Sequence, residues 1–157
     1  MSLIRQIWLL LIATLLVAFL GSFGVWMVSS RGYLETQLRL KNADNAQALA
    51  LSLSQQRGDL ALMDLAVSAQ FDTGFYQSIR LMDSTGKVVS SHEASPRLEG
   101  QMAPGWFRKL VQIDSPPGVA QVTDGWRALG SVEVVSHSSF AYDQLWEGSL
   151  KLSLIHI

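Results

Sequence analysis

The chain has no cysteine, and that absence removes disulfide frameworks, thiolate zinc sites and cysteine nucleophiles together. It leaves the compartment open, because a domain of about a hundred residues can be held by its core alone. An excess of positive charge is also missing. Lys and Arg number 12 against 13 Asp and Glu, a formal net charge of −1, so there is no electrostatic footprint for nucleic acid. Histidine is scarce, at three. His92 and His137 fall at strand ends or in a loop, outside any nucleophile or metal-ligand motif. His156 lies in a terminal Ser-Leu-Ile-His-Ile that resembles a translated sequencing-adapter junction and is given no functional weight. No phosphate-cradling glycine loop, paired-histidine zinc helix or calcium-loop pattern is present. Asp72 and Asp83 read as turn or capping residues, Glu133 between valines as a polar-face residue, and Arg80 as a lone cation that could receive an anion. Catalysis needs such groups brought together in the right protonation states. The reading is therefore a non-enzyme without cofactor or metal in this chain.

What is present in quantity is apolar sequence. Ile7 to Val28 runs 22 residues without a charge, and about 20 suffice to cross the hydrocarbon layer as a helix. A buried soluble helix would carry a polar face, and here only Thr14 and Ser22 are polar. A cleaved signal peptide has a shorter apolar run, roughly 7–15 residues. A retained signal anchor fits best, with Trp8 and Trp26 near the two interfaces. Residues 1–6 are then the cytoplasmic N-terminus and 7–28 the membrane helix. Residues 29–146 form the outer domain, and 147–157 are the truncated start of a second membrane helix whose last residues read as artefactual.

From residue 29 to about 56 the pattern predicts a helix leaving the bilayer. Leu34, Leu38, Ala46, Leu49 and Leu53 fall near one stripe, which Asn42 interrupts. Such a stripe packs either on its own domain or along a dimer stalk continuous with the membrane helix. Arg57-Gly58-Asp59 breaks the helix. Asp59 can cap a second one whose apolar face is Leu60, Met63, Val67 and Phe71, and Gly74 suits its left-handed end. Phe75–Met82 and Lys87–Ser91 predict a hairpin turning at Asp83-Ser-Thr-Gly86, with Phe75, Gln77, Ile79 and Leu81 as its core face. A polar surface loop is expected from His92 to Pro104 and a short amphipathic helix from Trp106 to Ile113. Asp114-Ser-Pro-Pro-Gly118 then breaks the chain. The economical arrangement is α+β: an antiparallel sheet with helices against one side.

Everything after Gly118 is organised around a second hairpin, Val119–Trp126 followed by Ser131–His137. Asp124-Gly125 is a tight-turn pair, with Trp126 beside the tip. A large aromatic there is either folded back over its own sheet or offered to a partner. Phe140–Trp146 then reads as helical and heads into renewed apolar sequence.

Three segments together resemble a known family. Phe71-Asp-Thr-Gly-Phe-Tyr-Gln-Ser-Ile-Arg80 with Asp83-Ser-Thr-Gly86 is similar to the first hairpin region of the LapD/MoxY N-terminal periplasmic domains. Asp124-Gly-Trp126, Gly130–His137 and Phe140–Trp146 are similar to the end of that domain. The opening Met1-Ser-Leu3 and the apolar run match in layout. The resemblance implies a PAS-like fold, an element-exchanged homodimer, and placement in the bacterial inner membrane with the main domain in the periplasm. It further implies a LapD-like receptor whose cytoplasmic HAMP, GGDEF and EAL parts, the last binding cyclic di-GMP, lie outside this chain. Such a receptor sequesters a LapG-type periplasmic cysteine protease, controlling adhesin release and biofilm dispersal. The tip aromatic of the family maps onto Trp126, with Asp124, Gly125 and Arg127 as neighbours in the contact. The competing function is a PAS-like small-molecule sensor of a kinase or chemoreceptor, which calls for an internal pocket. Tyr76 and Arg80 are its named candidates.

Overall fold

The computed structural model describes residues 3–95 and 102–155. The expectations for residues 1–2, for the 96–101 part of the loop after His92, and for His156 and Ile157 lie outside the described residues.

A single helix, α1 (Leu3–Ser54), carries both the apolar run and the segment after it. Its 52 residues make a rod roughly 78 Å long at 1.5 Å per residue. No residue before Leu34 is fully buried, Trp26 and Met27 being only partly covered by the domain, and the apolar window of the helix is wholly uncovered. A helix apolar all round with nothing packed on it is a helix whose solvent is lipid. Beyond Tyr33 the character changes to one stripe, in which Leu34, Leu38, Asn42, Ala46, Leu49, Ala50 and Leu53 are all buried.

That stripe closes on its own domain, so the four leucines available for a dimer seam are already covered within the single chain. Asn42 does not interrupt the stripe, as the pattern suggested. It is fully buried at its centre. Its Nδ2 donates to Pro116 O at 2.7 Å and Ser115 Oγ at 3.1 Å, and its Oδ1 accepts from Ser136 N at 2.9 Å. A side-chain amide is tolerated in a core when both ends are satisfied in this way.

The second helix, α2 (Leu60–Phe71), starts as expected at Asp59, whose Oδ1 accepts from Ala61 N at 3.0 Å and Leu62 N at 3.3 Å. Gly74 follows its end with φ +81°. Four strands come next: β1 (Tyr76–Asp83), β2 (Val88–Glu93), β3 (Gly118–Asp124) and β4 (Arg127–Ser136). They form one antiparallel sheet in the order β2-β1-β4-β3. The α+β expectation holds, with α1 and α2 laid on one face of a PAS-like sheet. Their common core is Ala46, Leu49, Leu53, Met63, Val67, Ile79, Leu81, Val122, Val132 and Val134 with Tyr76.

The face assignment of the first hairpin needs one correction. Ile79 and Leu81 are buried, but Phe75 and Gln77 are exposed and Tyr76 is buried in their place. The register slips between Tyr76 and Ser78, which pair with the consecutive residues Ser136 and Val135. Gln77 is thus an extra residue, and a β-bulge of this kind reverses the parity on its far side.

A second cluster lies lower on α1. It joins Leu34 and Leu38 to Ala103, Phe107, Val111, Ile113, Ala141 and Leu145. The short helix α3 covers only Gly105–Leu110, with Val111 already extended. It is shorter than the predicted 106–113 because Val111 and Ile113 leave it to fill this cluster. The final helix, α4, spans Ser139–Ile155 and returns alongside α1. The segment borders expected at 28/29 and 146/147 therefore fall inside unbroken helices.

Candidate functional site

The tip of the β3–β4 hairpin is a two-residue connection, Gly125 and Trp126, closed by the pair Asp124 and Arg127. The turn sits one residue later than Asp124-Gly125 suggests. Gly125 has φ +61°, while Trp126 is not among the positive-φ residues. A positive φ at the first central position alone is the pattern of a type II′ turn, where glycine is preferred and the twist suits a hairpin. Asp124 becomes the last residue of β3, and Trp126 lies within the turn rather than beside it.

That position decides between the two fates open to the side chain. Trp126 has a relative exposure of 106%, so its indole is not folded back over the sheet. Asp124, Gly125 and Arg127 are exposed around it, and a Cβ on Gly125 would meet nothing within 4 Å. The four residues form one open apex with the aromatic projecting from it.

The apex is held from behind by residues that pattern reading missed. Ser54 Oγ, at the end of α1, accepts from Thr123 N at 3.1 Å and donates to Ala50 O at 2.8 Å. Val122 pairs with Gly130 but Thr123 with Ala128, which leaves Leu129 as a bulged residue. Its side chain reaches the α1–α2 connection, with Cδ2 3.5 Å from where a Cβ on Gly58 would stand. Gly130 admits the backbone of β1: a Cβ there would lie 1.9 Å from Met82 O. One signal was legible, since a glycine inside a strand pattern points to a bulge or a close backbone approach. The role of Ser54 had no local signal.

The two residues named for a small-molecule site do not converge. Tyr76 is buried, and its hydroxyl accepts from Gln70 Nε2 of α2 at 2.8 Å. Arg80 is on the opposite, solvent-facing side of the sheet, paired with Glu93 and, at 3.5 Å, with Glu133. A groove of about 320 Å³ touches Tyr76 together with Phe71, Glu93 and His137, and Arg80 does not line it. His92 Nε2 lies 3.4 Å from Asp64 Oδ1, which also accepts from Ser90 Oγ. These bonds hold the Asp64 carboxyl below the usual carboxylate range, with Ser90 the larger cause. The trio ties α2 to β2. Both polar side chains point at the carboxylate. Among the described residues no group of three or more His, Cys, Asp and Glu is placed to hold a metal ion.

Comparison with known proteins identifies the family. The family model for the LapD/MoxY periplasmic domain matches residues 23–146. The solved structure of the LapD periplasmic domain of Pseudomonas fluorescence is 40% identical in sequence, over 80% of this chain and 98% of that one. Its TM-score is 0.45, so the likeness counted here is one of sequence. No curated protein matches the chain. The family match extends well beyond half of the chain and takes in both hairpins, the exposed tip and α1 from residue 23 onward. The chain belongs to the LapD/MoxY periplasmic domain family, an α+β domain held in the periplasm by a helix in the bacterial inner membrane.

Proposed function

We propose that this chain is the non-catalytic output domain of an inner-membrane cyclic di-GMP receptor and that it captures a LapG-type periplasmic cysteine protease on its hairpin tip. Residues 1–6 lie in the cytoplasm, 7–28 cross the membrane, 29–146 form the output domain, and the segment from 147 starts a second crossing. Cyclic di-GMP binds the cytoplasmic EAL-like domain of the receptor and no part of this chain. The protease is held while the nucleotide is bound, which keeps the adhesin on the cell surface and the biofilm intact. The observation that carries this reading is the complete exposure of Trp126 at an apex braced by Ser54, Leu129 and Gly130. An indole held out by a rigid turn offers a large apolar surface and one N–H donor to a pocket at little ordering cost. Asp124, Gly125 and Arg127 form the rim.

The receptor acts as a homodimer. The α1 stripe already covers the sheet within one chain, so an element-exchanged pair would keep the same contacts and change only whose helix makes them. Sedimentation of the chain in detergent at tens of micromolar, a concentration equivalent to roughly 6 kcal/mol of association, should give a dimer. A monomer there refutes it.

The decisive experiment is Trp126→Ala, with protease binding by calorimetry and melting temperature measured on the same preparation. Truncating a central hot spot costs about 2 kcal/mol or more, roughly thirtyfold in affinity. Melting should not move, because the side chain covers nothing. Unchanged affinity, or a fall in melting temperature, would sink the anchor role.

A further inference from the structure

The outward side of α3 and of Met102 just before it is largely bare, with only the edge of Trp106 against Trp146, although the inner face is fully packed. Ala103, Phe107 and Val111 are buried against α1 and α4, while Met102, Trp106 and Leu110 are exposed at 66%, 61% and 75%. The spacing from Trp106 to Leu110 is one helical turn, so these two share a face. Lys109 is exposed beside them in the basic last turn. Three large apolar side chains on one patch beside a lysine are unusual for a surface that meets only water.

The height of this patch on α1 identifies its occupant. A Cβ on Gly148 of α4 would stand 2.9 Å from the Trp26 ring, so α4 at residue 148 is level with α1 at residue 26. Trp146 is two residues further from the bilayer along α4, about 3 Å of rise. Trp106 meets the Trp146 ring edge-on at 5.7 Å between centroids, and Phe107 meets it at 5.1 Å. Trp26 and Met27 pack on the same cluster as Phe107 and Trp146. The uncharged run of α1 ends at Val28. Trp106 is therefore within several ångströms of the level at which the hydrocarbon ends, where the headgroup layer is roughly 5–8 Å deep on each side. Indoles favour that layer, and a lysine there faces the phosphates of anionic lipid.

We propose that Met102 and the Trp106–Lys109–Leu110 face of α3 are seated in the periplasmic headgroup layer of the membrane that α1 crosses. The patch then adds a hold on the bilayer to that of the membrane helix, which sets the tilt of the domain and the direction in which the β3–β4 tip projects. The proposal rests on the membrane placement of α1 and is independent of what Trp126 binds.

The absence of native cysteine makes the test clean. Single variants Leu110→Cys, Met102→Cys, Val119→Cys and Ile12→Cys of the whole chain are nitroxide-labelled and reconstituted into vesicles of phosphatidylethanolamine and phosphatidylglycerol. Collision with oxygen, which concentrates in lipid, is compared with collision with a water-soluble nickel chelate. Val119 is exposed on β3, next to Gly118 at the level of Asn42, about 21 Å beyond Val28 along α1, and serves as the aqueous reference. Ile12 is the lipid reference. The oxygen-to-nickel ratio at positions 110 and 102 should stand several-fold above that at 119 and below that at 12. Ratios equal to that at 119 overturn the seat. Labels at 110 and 102 shielded from both reagents also overturn it, and identify a protein occupant such as a second copy. A water-like label at 12 overturns the anchor and the seat together.

Discussion

Replacing Asn42 by alanine removes the one polar side chain buried at the centre of the α1 stripe. Its amide joins α1 to two other pieces of chain: the Ser115–Pro116 bend by donation at 3.1 and 2.7 Å, and the end of β4 by accepting from Ser136 N at 2.9 Å. Ser115 Oγ keeps a second bond, to Ser136 O at 3.0 Å, so its loss is partial. Half-buried Pro116 O and buried Ser136 N lose the partner that Asn42 gives them, and an orphaned group costs up to about 1–3 kcal/mol according to its burial. The sum is roughly 2–6 kcal/mol, against a total stability of about 5–15 kcal/mol for a domain of this kind. At about 4 °C per kcal/mol for a domain of this size, the melting temperature should fall by roughly 8 °C or more. Thermal unfolding of the detergent-solubilised chain, followed by the sheet signal in circular dichroism, measures it. Asn42→Asp should recover little, because a carboxylate accepts from Ser136 N but donates nothing to Pro116 O and buries a charge. A fall of less than about 3 °C for Asn42→Ala, under 1 kcal/mol on the same scale, would refute the tie.

Other outcomes follow from the hairpin and the surface carboxylates. Gly130→Ala forces a Cβ to 1.9 Å from Met82 O, a clash with backbone, and should cost about 3 kcal/mol or more; unchanged melting would mean β1 and β4 do not approach this closely. Gly125→Ala meets no atom but must hold φ +61°, so it should cost only about 1–2 kcal/mol and weaken protease binding by loosening the tip; a loss as large as that of Gly130→Ala would be contrary. Among the described residues, the carboxyls of Glu35, Asp64 and Asp83 are held below their usual range. For Glu35 the causes are the Arg31 side chain and then the Asp114 N–H, for Asp64 Ser90 and then His92, and for Asp83 Thr85 and then the Lys87 N–H. Because their folded values lie below the unfolded ones, their contribution is complete above the ordinary carboxylate range and fades as pH falls through the folded values. Melting temperature should therefore be level from neutral pH to about 5 and decline below about 4; a flat profile down to pH 3 would contradict it.

Local chemistry was legible where one residue settles the matter. Asp59 caps α2 because a carboxylate after a glycine break has free N–H groups in front of it. Asp83 closes the β1–β2 turn through Thr85 and Lys87 in the same way. The all-round apolar run of α1 announced lipid because no polar face exists to meet water. Trp126 was marked as unusual by the glycine turn next to it. The parity of β1 was misread because a bulge is created by the partner strand, and Gln77 carries no mark of it. Asn42 looked like a flaw in a stripe because its three partners come from residues 73 to 94 positions away.

Composition and pattern alone therefore determined the class of element at each point: a lipid-facing helix, an amphipathic helix, two glycine-turned hairpins and an amphipathic end helix. Those signals depend on neighbours within a few residues, which the chain carries with it. Which way Trp126 points, whether the α1 stripe faces its own sheet, and which face of α3 is left bare were decided by tertiary structure. Each depends on what distant segments have already filled. Leu34 and Leu38 are spent on Phe107 and Leu145, and Leu49 and Leu53 on the sheet core, while the apex beyond Gly130 has no helix above it to receive an indole.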